Sequence, residues 1–169
     1  MKRTSFAKWP CSVARTVDLL GDWWTPLVLR EAFYSVRRFD GFQASLGIGR
    51  NILTERLRRL VDQGLMERRM YQDRPERHEY RLTQKGRDFY PVLASIVAWG
   101  DRWLDRGKGA PVLLRHQVCG KITHAEVVCA ECGEPLDARD MTVEVGPGYP
   151  PKLMNHPATR ARFAEIPSA

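Results

Sequence analysis

Through the first hundred residues, apolar positions recur every three or four residues. Beyond that they give way to short alternating stretches. In CSVARTVDLLG, residues 11–21, Val13, Val17 and Leu20 fall at helical spacing and Gly21 closes the run. DWWTPLVLREAFYSV follows. Thr25 before Pro26 predicts a helix start, because proline tolerates the first helical position and threonine can cap it. Leu27, Val28 and Ala32, with Leu29 and Phe33 beside them, predict a strongly buried helix. RRFDGFQASL, Arg37 to Leu46, predicts a short third helix with Phe39, Phe42 and Leu46 inward; Asp40-Gly41 weakens its start. After LGIG, a fourth helix is predicted over Arg50 to Gln63, stopped at Gly64. Its Leu53, Leu57 and Leu60 form one inward stripe with Val61 at the edge. At about 100° per residue, the opposite side carries Asn51, Glu55, Arg58 and Asp62, flanked by Arg50, Thr54 and Arg59.

LMERRMY and HEYRL then read as two strands around the turn QDRPER. Thr83 opens a long helix through QKGRDFYPVLASIVAWGDRWL, kinked at Pro91, whose ring removes one backbone bond. Its apolar positions, among them Val92, Ile96, Trp99 and Trp103, cover more than one face. Such a helix needs its own domain on one side and a second subunit on the other. DRGKGAP, residues 105–111, is a polar break that divides the chain into domains 1–107 and 108–169. The last fifteen or so residues look weakly ordered, with a helical turn or two in ATRARFAEI.

Length and composition narrow the class. The 169 residues suffice for one domain and an appendage, and 43% apolar with 28% charged residues describes a soluble globular protein. A net charge of +7 favours a polyanionic partner without choosing among DNA, RNA and an acidic membrane. No run of about 18 apolar residues is present, so no membrane span is expected. The start MKRTSFAKWPCSV lacks an apolar core after its basic residues, so no secretory signal is expected and a cytoplasmic location follows by default. No nucleophilic triad, glycine-rich phosphate loop or HExxH pair points to an enzyme.

Three helices, a fourth with a basic outer side, two strands and a last helix follow the order of a winged helix-turn-helix. The expected fold is mainly α with a small β-hairpin wing, plus a small β-rich C-terminal ribbon. An arginine-rich face is often only solvated. Here, however, Arg50-Asn51 follow Gly49 closely enough for backbone amides to meet a phosphate. Asn and Arg can also read adenine and guanine edges in bidentate fashion. Arg74 and Arg77 at the hairpin tip can reach backbone or minor groove beside the same site.

These segments resemble the HxlR-type transcriptional regulators, winged-helix proteins related to the MarR group. The residues that carry the resemblance are Cys11 with VARTVDLLGDWWTPLVLRE, RRFDGFQ, RNILTERLRRLVDQGLMER and PERHEYRLTQKGRDFYPVL, roughly residues 8–104. The resemblance implies a homodimer built by the first and last helices, with two reading helices in successive major grooves of double-stranded DNA. It maps DNA contact onto Arg50, Asn51, Thr54 and Arg58, with Arg56 and Arg59 as second choices, and onto Arg74 and Arg77 of the wing. Repression is expected, because a bound dimer can exclude polymerase. The competing reading is a ligand- or protein-interaction module on the same scaffold without sequence-specific DNA binding. A small-molecule effector site could lie near Trp23, Trp24, Trp99 and Trp103, although tryptophans so placed are more often core.

Some relatives carry a reactive N-terminal cysteine, and Cys11 matches that position. A helix start favours the reactive thiolate; the blander expectation is a buried cysteine acting as a small apolar residue. The other three cysteines cluster in RHQVCGKITHAEVVCAECGEPL. In a reducing compartment such clustering favours a metal over disulfides. His116 with Cys119, and Cys129 with Cys132, form two short loops each followed by glycine. Together they are the ligand set of a structural Zn2+, with His124 as a spare. Three reduced cysteines without metal, or a Cys129–Cys132 redox pair, are the alternatives.

Overall fold

The computed structural model describes residues 5–163. Helices α1 (Ser12–Leu20), α2 (Trp24–Phe33), α3 (Phe39–Leu46) and α4 (Arg50–Asp62) precede a hairpin of β1 (Met66–Gln72) and β2 (Arg77–Leu82). A short α5 (Gln84–Arg87) and a long α6 (Tyr90–Trp103) follow. The order closes with β3 (Leu114–Arg115), β4 (Ile122–Thr123) and α7 (Pro157–Phe163). This is the expected winged helix-turn-helix, with a sparse β addition after it. The helical segment expected in the last residues is α7; positions 164–169, like 1–4, lie outside the described residues.

The chain divides into two compact units. One is Thr16–Ala125; the other joins the described parts of Met1–Arg15 and Glu126–Ala169. The division therefore falls after Ala125 rather than at residue 107. Leu114 explains the difference: it lines a hollow with Phe33, Tyr34, Tyr90 and Leu93, so the segment beyond the glycine-rich break still packs on the winged unit.

Burial decides how the helices face. Val28 and Leu29 of α2, Phe42 of α3, and Leu53 and Leu57 of α4 are fully buried, with Leu60, Ile48, Leu65 and Met66 sealing them. Burying such a side chain contributes about 1.5–3 kcal/mol. Three leucines on one stripe thus fix which side of α4 turns inward.

Three local expectations are corrected. The cap of α2 is Asp22, not Thr25: its Oδ1 accepts from the amides of Trp24 (2.9 Å) and Thr25 (3.2 Å), while Thr25 itself is buried. The third helix begins at Phe39, two residues late. Arg37 and Arg38 are extended and join the wing sheet, with the Tyr80 amide donating to the Arg37 carbonyl at 2.7 Å and Arg38 bridged to Glu79. The last helix is broken rather than kinked. Pro91 lies in the first turn of α6, where its missing N–H costs nothing. In α1, Val13 and Val17 are exposed, and no residue of the helix is buried.

The corner after the wing locks the end of α4. The Thr83 hydroxyl donates to the Gly64 carbonyl (2.6 Å) and accepts from the Gly86 amide (3.2 Å), and Lys85 Nζ donates to the Gln63 carbonyl (2.7 Å). Gly86 is obligatory there, because a Cβ would sit 2.1 Å from the Leu65 carbonyl oxygen.

Candidate DNA interface

Helix α3 ends at Gly47 in the left-handed region, and Gly49 is extended before α4 begins. Buried Ile48 anchors the turn between them. With the leucine stripe inward, Arg50, Asn51, Thr54, Glu55 and Arg58 are all exposed on the outer side. The Arg50 guanidinium stacks over the Phe39 ring at 5.0 Å, which orders a long side chain beside the start of the helix. The Thr54 hydroxyl donates to the Arg50 carbonyl at 2.9 Å. Arg58 has no ion-pair partner among the described residues.

Two arginines of the same helix are occupied inside the fold. Arg56 pairs with Asp22, the cap of α2, and with Glu55 at 2.9 Å. Arg59 Nε donates to the Leu19 carbonyl at 3.1 Å, and its terminal nitrogen donates to the Asp18 carbonyl. Arg59 thereby supplies donors to carbonyls in the last turn of α1. The structure places Arg56 and Arg59 as internal ties, apart from the exposed group.

The wing is an antiparallel pair running from Met66–Leu82 to Gln72–Arg77, with Tyr71 bulged out between Met70 and Gln72. Its charges sort into two sets. Arg69 pairs with Glu67 (2.6 Å), and Arg68 contacts His78 (2.8 Å) and Glu76 (3.7 Å). Arg74 and Arg77 are exposed at the tip with no ion-pair partner among the described residues. Sequence reasoning missed Arg38, whose guanidinium lies over the Tyr71 ring at 4.7 Å and links the segment before α3 to the wing. No periodic signal marks a single-residue bridge, so only the doubled arginine hinted at it.

Cys11 is exposed, which corrects the expectation of a buried cysteine. Its sulfur accepts from the Ala14 amide at 3.5 Å and so caps the first turn of α1. The two tail loops share one backbone plan. In the first, the His116 carbonyl accepts from the Gly120 amide (2.8 Å) and the His116 amide donates to the Lys121 carbonyl (2.9 Å). In the second, Cys129 makes the same bonds with Gly133 (2.9 Å) and Glu134 (2.7 Å). Gly120 and Gly133 both take positive φ, near 70° and 79°, as this turn demands. His116 Nδ1 lies 3.4 Å from Cys119 Sγ. The amides of Cys132 and Glu131, then the Cys132 thiol, point at the Cys129 sulfur and hold its thiol below the usual range. His116 and Cys119 belong to one compact unit, Cys129 and Cys132 to the other. Among the described residues, no three His, Cys, Asp or Glu side chains gather as one metal-holding group.

Helices packed on one core, an outward basic α4 and a hairpin wing define a winged helix-turn-helix. The sequence profile of the HxlR-like helix-turn-helix family matches residues 19–108, and the chain belongs to that family. An uncharacterized HTH-type transcriptional regulator of Mycobacterium tuberculosis, Rv3095, is 48% identical over 142 residues, 84% of this chain and 90% of the relative. PA1607, solved as a candidate transcription factor, superposes with a TM-score of 0.74 at 38% identity and covers 83% of this chain and 99% of its own. The redox regulator HypR in its reduced form superposes with a TM-score of 0.53 at 28% identity, over 58% of this chain and 96% of its own. The family and these relatives are regulators of transcription rather than enzymes, and DNA is the partner. No helix among the described residues is long and apolar enough to cross a membrane.

Proposed function

We propose that the chain is a cytoplasmic homodimeric repressor whose paired α4 helices enter successive major grooves of an operator. One observation carries the reading: Arg50, Asn51, Thr54 and Arg58 stand exposed together on the side of α4 opposite the buried leucines, and Arg74 and Arg77 of the wing tip are exposed as well. In this reading Arg50, Asn51, Thr54 and Arg58 meet base edges and phosphates, while Arg74 and Arg77 reach the flanking backbone. The dimer is supported by the outward stripe on α6, where Ile96, Trp99 and Trp103 are 51%, 59% and 63% exposed, and by Val17 of α1 at 54%. Apolar surface of that extent calls for a cover. A symmetric pair would place half-site centres about 34–36 Å apart on one face of the duplex.

The test is a mobility-shift titration followed by genomic footprinting. Expected are steep salt dependence with any duplex, tighter binding at one class of sites, and inverted repeats spaced by one helical turn. Absence of salt-dependent binding to random duplex at low salt would instead favour an interaction module on the same scaffold.

A second reading makes Cys11 a redox-responsive thiol. Its exposure supports this, as does the likeness to HypR, a redox regulator. Substitution Cys11→Ser should then abolish any change in DNA affinity produced by a thiol oxidant, and an unaltered response would end this reading.

Structural zinc in the tail rests on each loop by itself: the shared turn geometry, the His116–Cys119 approach, and amides aimed at the Cys129 sulfur as they would be at a thiolate ligand. Zinc bound by His116, Cys119, Cys129 and Cys132 would stabilise a short segment and leave no open coordination position. Metal analysis of the purified chain should give about one zinc per chain; less than about 0.2, with all thiols free, rejects it.

A further inference from the structure

Behind the wing lies a hollow of about 460 Å³, within the size range of small-molecule sites. The DNA reading gives it no role. Its apolar wall is made by Ala32 and Phe33 at the end of α2, Val36 shortly after it, Leu82 of β2 and Tyr90 of α6; the Phe33 and Tyr90 rings meet edge-on at 5.0 Å. A second hollow of about 90 Å³ shares those two rings and continues along apolar Leu93, Ala94 and Val97.

Arg37, Arg81 and Arg87 line the larger hollow, and no acidic residue does. Arg81 is balanced by Glu79 at 2.7 Å. Arg37 and Arg87 have no carboxylate partner among the described residues. Arg87 is held in place by the Leu82 carbonyl (2.8 Å) and Gln84 Oε1 (3.1 Å). Ser35, at φ 67°, is a non-glycine residue in the left-handed region on the same wall.

We propose that this hollow binds a small organic anion, a carboxylate carried on an aromatic or branched apolar body. Two lining arginines without a carboxylate partner among the described residues set the charge, because arginine takes a carboxylate in bidentate fashion. The ring-lined wall sets the body, since a hydrated inorganic anion would leave that surface unused. The regulatory consequence rests on the DNA reading: β2 is a wing strand, and Tyr80 bonds to Arg37 at the hollow's edge. An occupant therefore presses on the joint from which the wing extends.

The test uses the full chain without DNA, so a failure here is separable from a failure of operator binding measured in parallel. Calorimetric titration with 2-naphthoate should show saturable binding, with 2-naphthamide and inorganic phosphate each about tenfold weaker or worse. Arg37→Gln should weaken naphthoate by about tenfold with an unchanged melting temperature; Arg69→Gln, outside the hollow, should not. No saturable naphthoate binding at millimolar concentration overturns the proposal. So does equal binding of the amide, equal binding by Arg37→Gln, or displacement by phosphate at matching strength.

Discussion

Between Thr25 and Ala94 the chain holds every buried residue that the structure describes; from Lys108 to Phe163 it holds none. Yet the tail's local chemistry is as well formed as that of the winged unit. Its two loops repeat one hydrogen-bond plan, and Asp137 accepts from the Arg139 amide at 2.9 Å to start a 3-10 turn. What differs is strand length and burial. The wing strands span seven and six residues, those of the tail two each. Local bonds shape a loop, but burial holds a fold. A segment without a core draws its stability from ligands or partners.

The contrast is sharpest under matched leucine truncations. Leu57→Ala, in the centre of the core, should cost about 2–5 kcal/mol in thermal or denaturant unfolding. Gly86→Ala should cost about 1–3 kcal/mol, because the new methyl overlaps the Leu65 carbonyl oxygen. Arg58→Ala should leave stability within about 0.5 kcal/mol yet lose about 1–3 kcal/mol of binding at one base position, while Arg74→Ala should lower the salt slope by about 1 at every sequence. Leu136→Ala, the tail's counterpart to Leu57→Ala, should move unfolding by no more than about 0.5 kcal/mol; a core-sized loss there would break the comparison. The smallest effect concerns Cys129. With its thiol held low by neighbouring amides, it should alkylate at lower pH in the folded, metal-free chain than after unfolding. Its contribution to stability is present above the unfolded thiol's range and fades as pH falls through the lowered native value.

What the sequence made legible was whatever carries a period. The leucine stripe gave the inward side of α4 and left Arg50, Asn51, Thr54 and Arg58 outside, where they stand. The two strands of the wing followed from β-rich runs around a turn. Features set by reach or by one backbone bond were not legible. A helical wheel gives the angle of Arg56 and Arg59, but not that their long stems fold back to Asp22 and to α1. The choice of Asp22 over Thr25 as the cap depends on which residue leaves helical backbone angles first. The Arg37–Arg38 pairing with β2 spans too few residues to show alternation. The spacing of Val13 and Val17 predicted a helix but not which way it faces, because the same stripe serves a core or an interface equally well.

Arg59 grips the final carbonyls of α1, and Arg56 grips the residue that starts α2. The recognition segment is thus riveted to the helix that the proposed dimer shares, and a tilt of one is a tilt of the other. In a dimer joined there, the distance between the two reading heads becomes a mechanical property of α1.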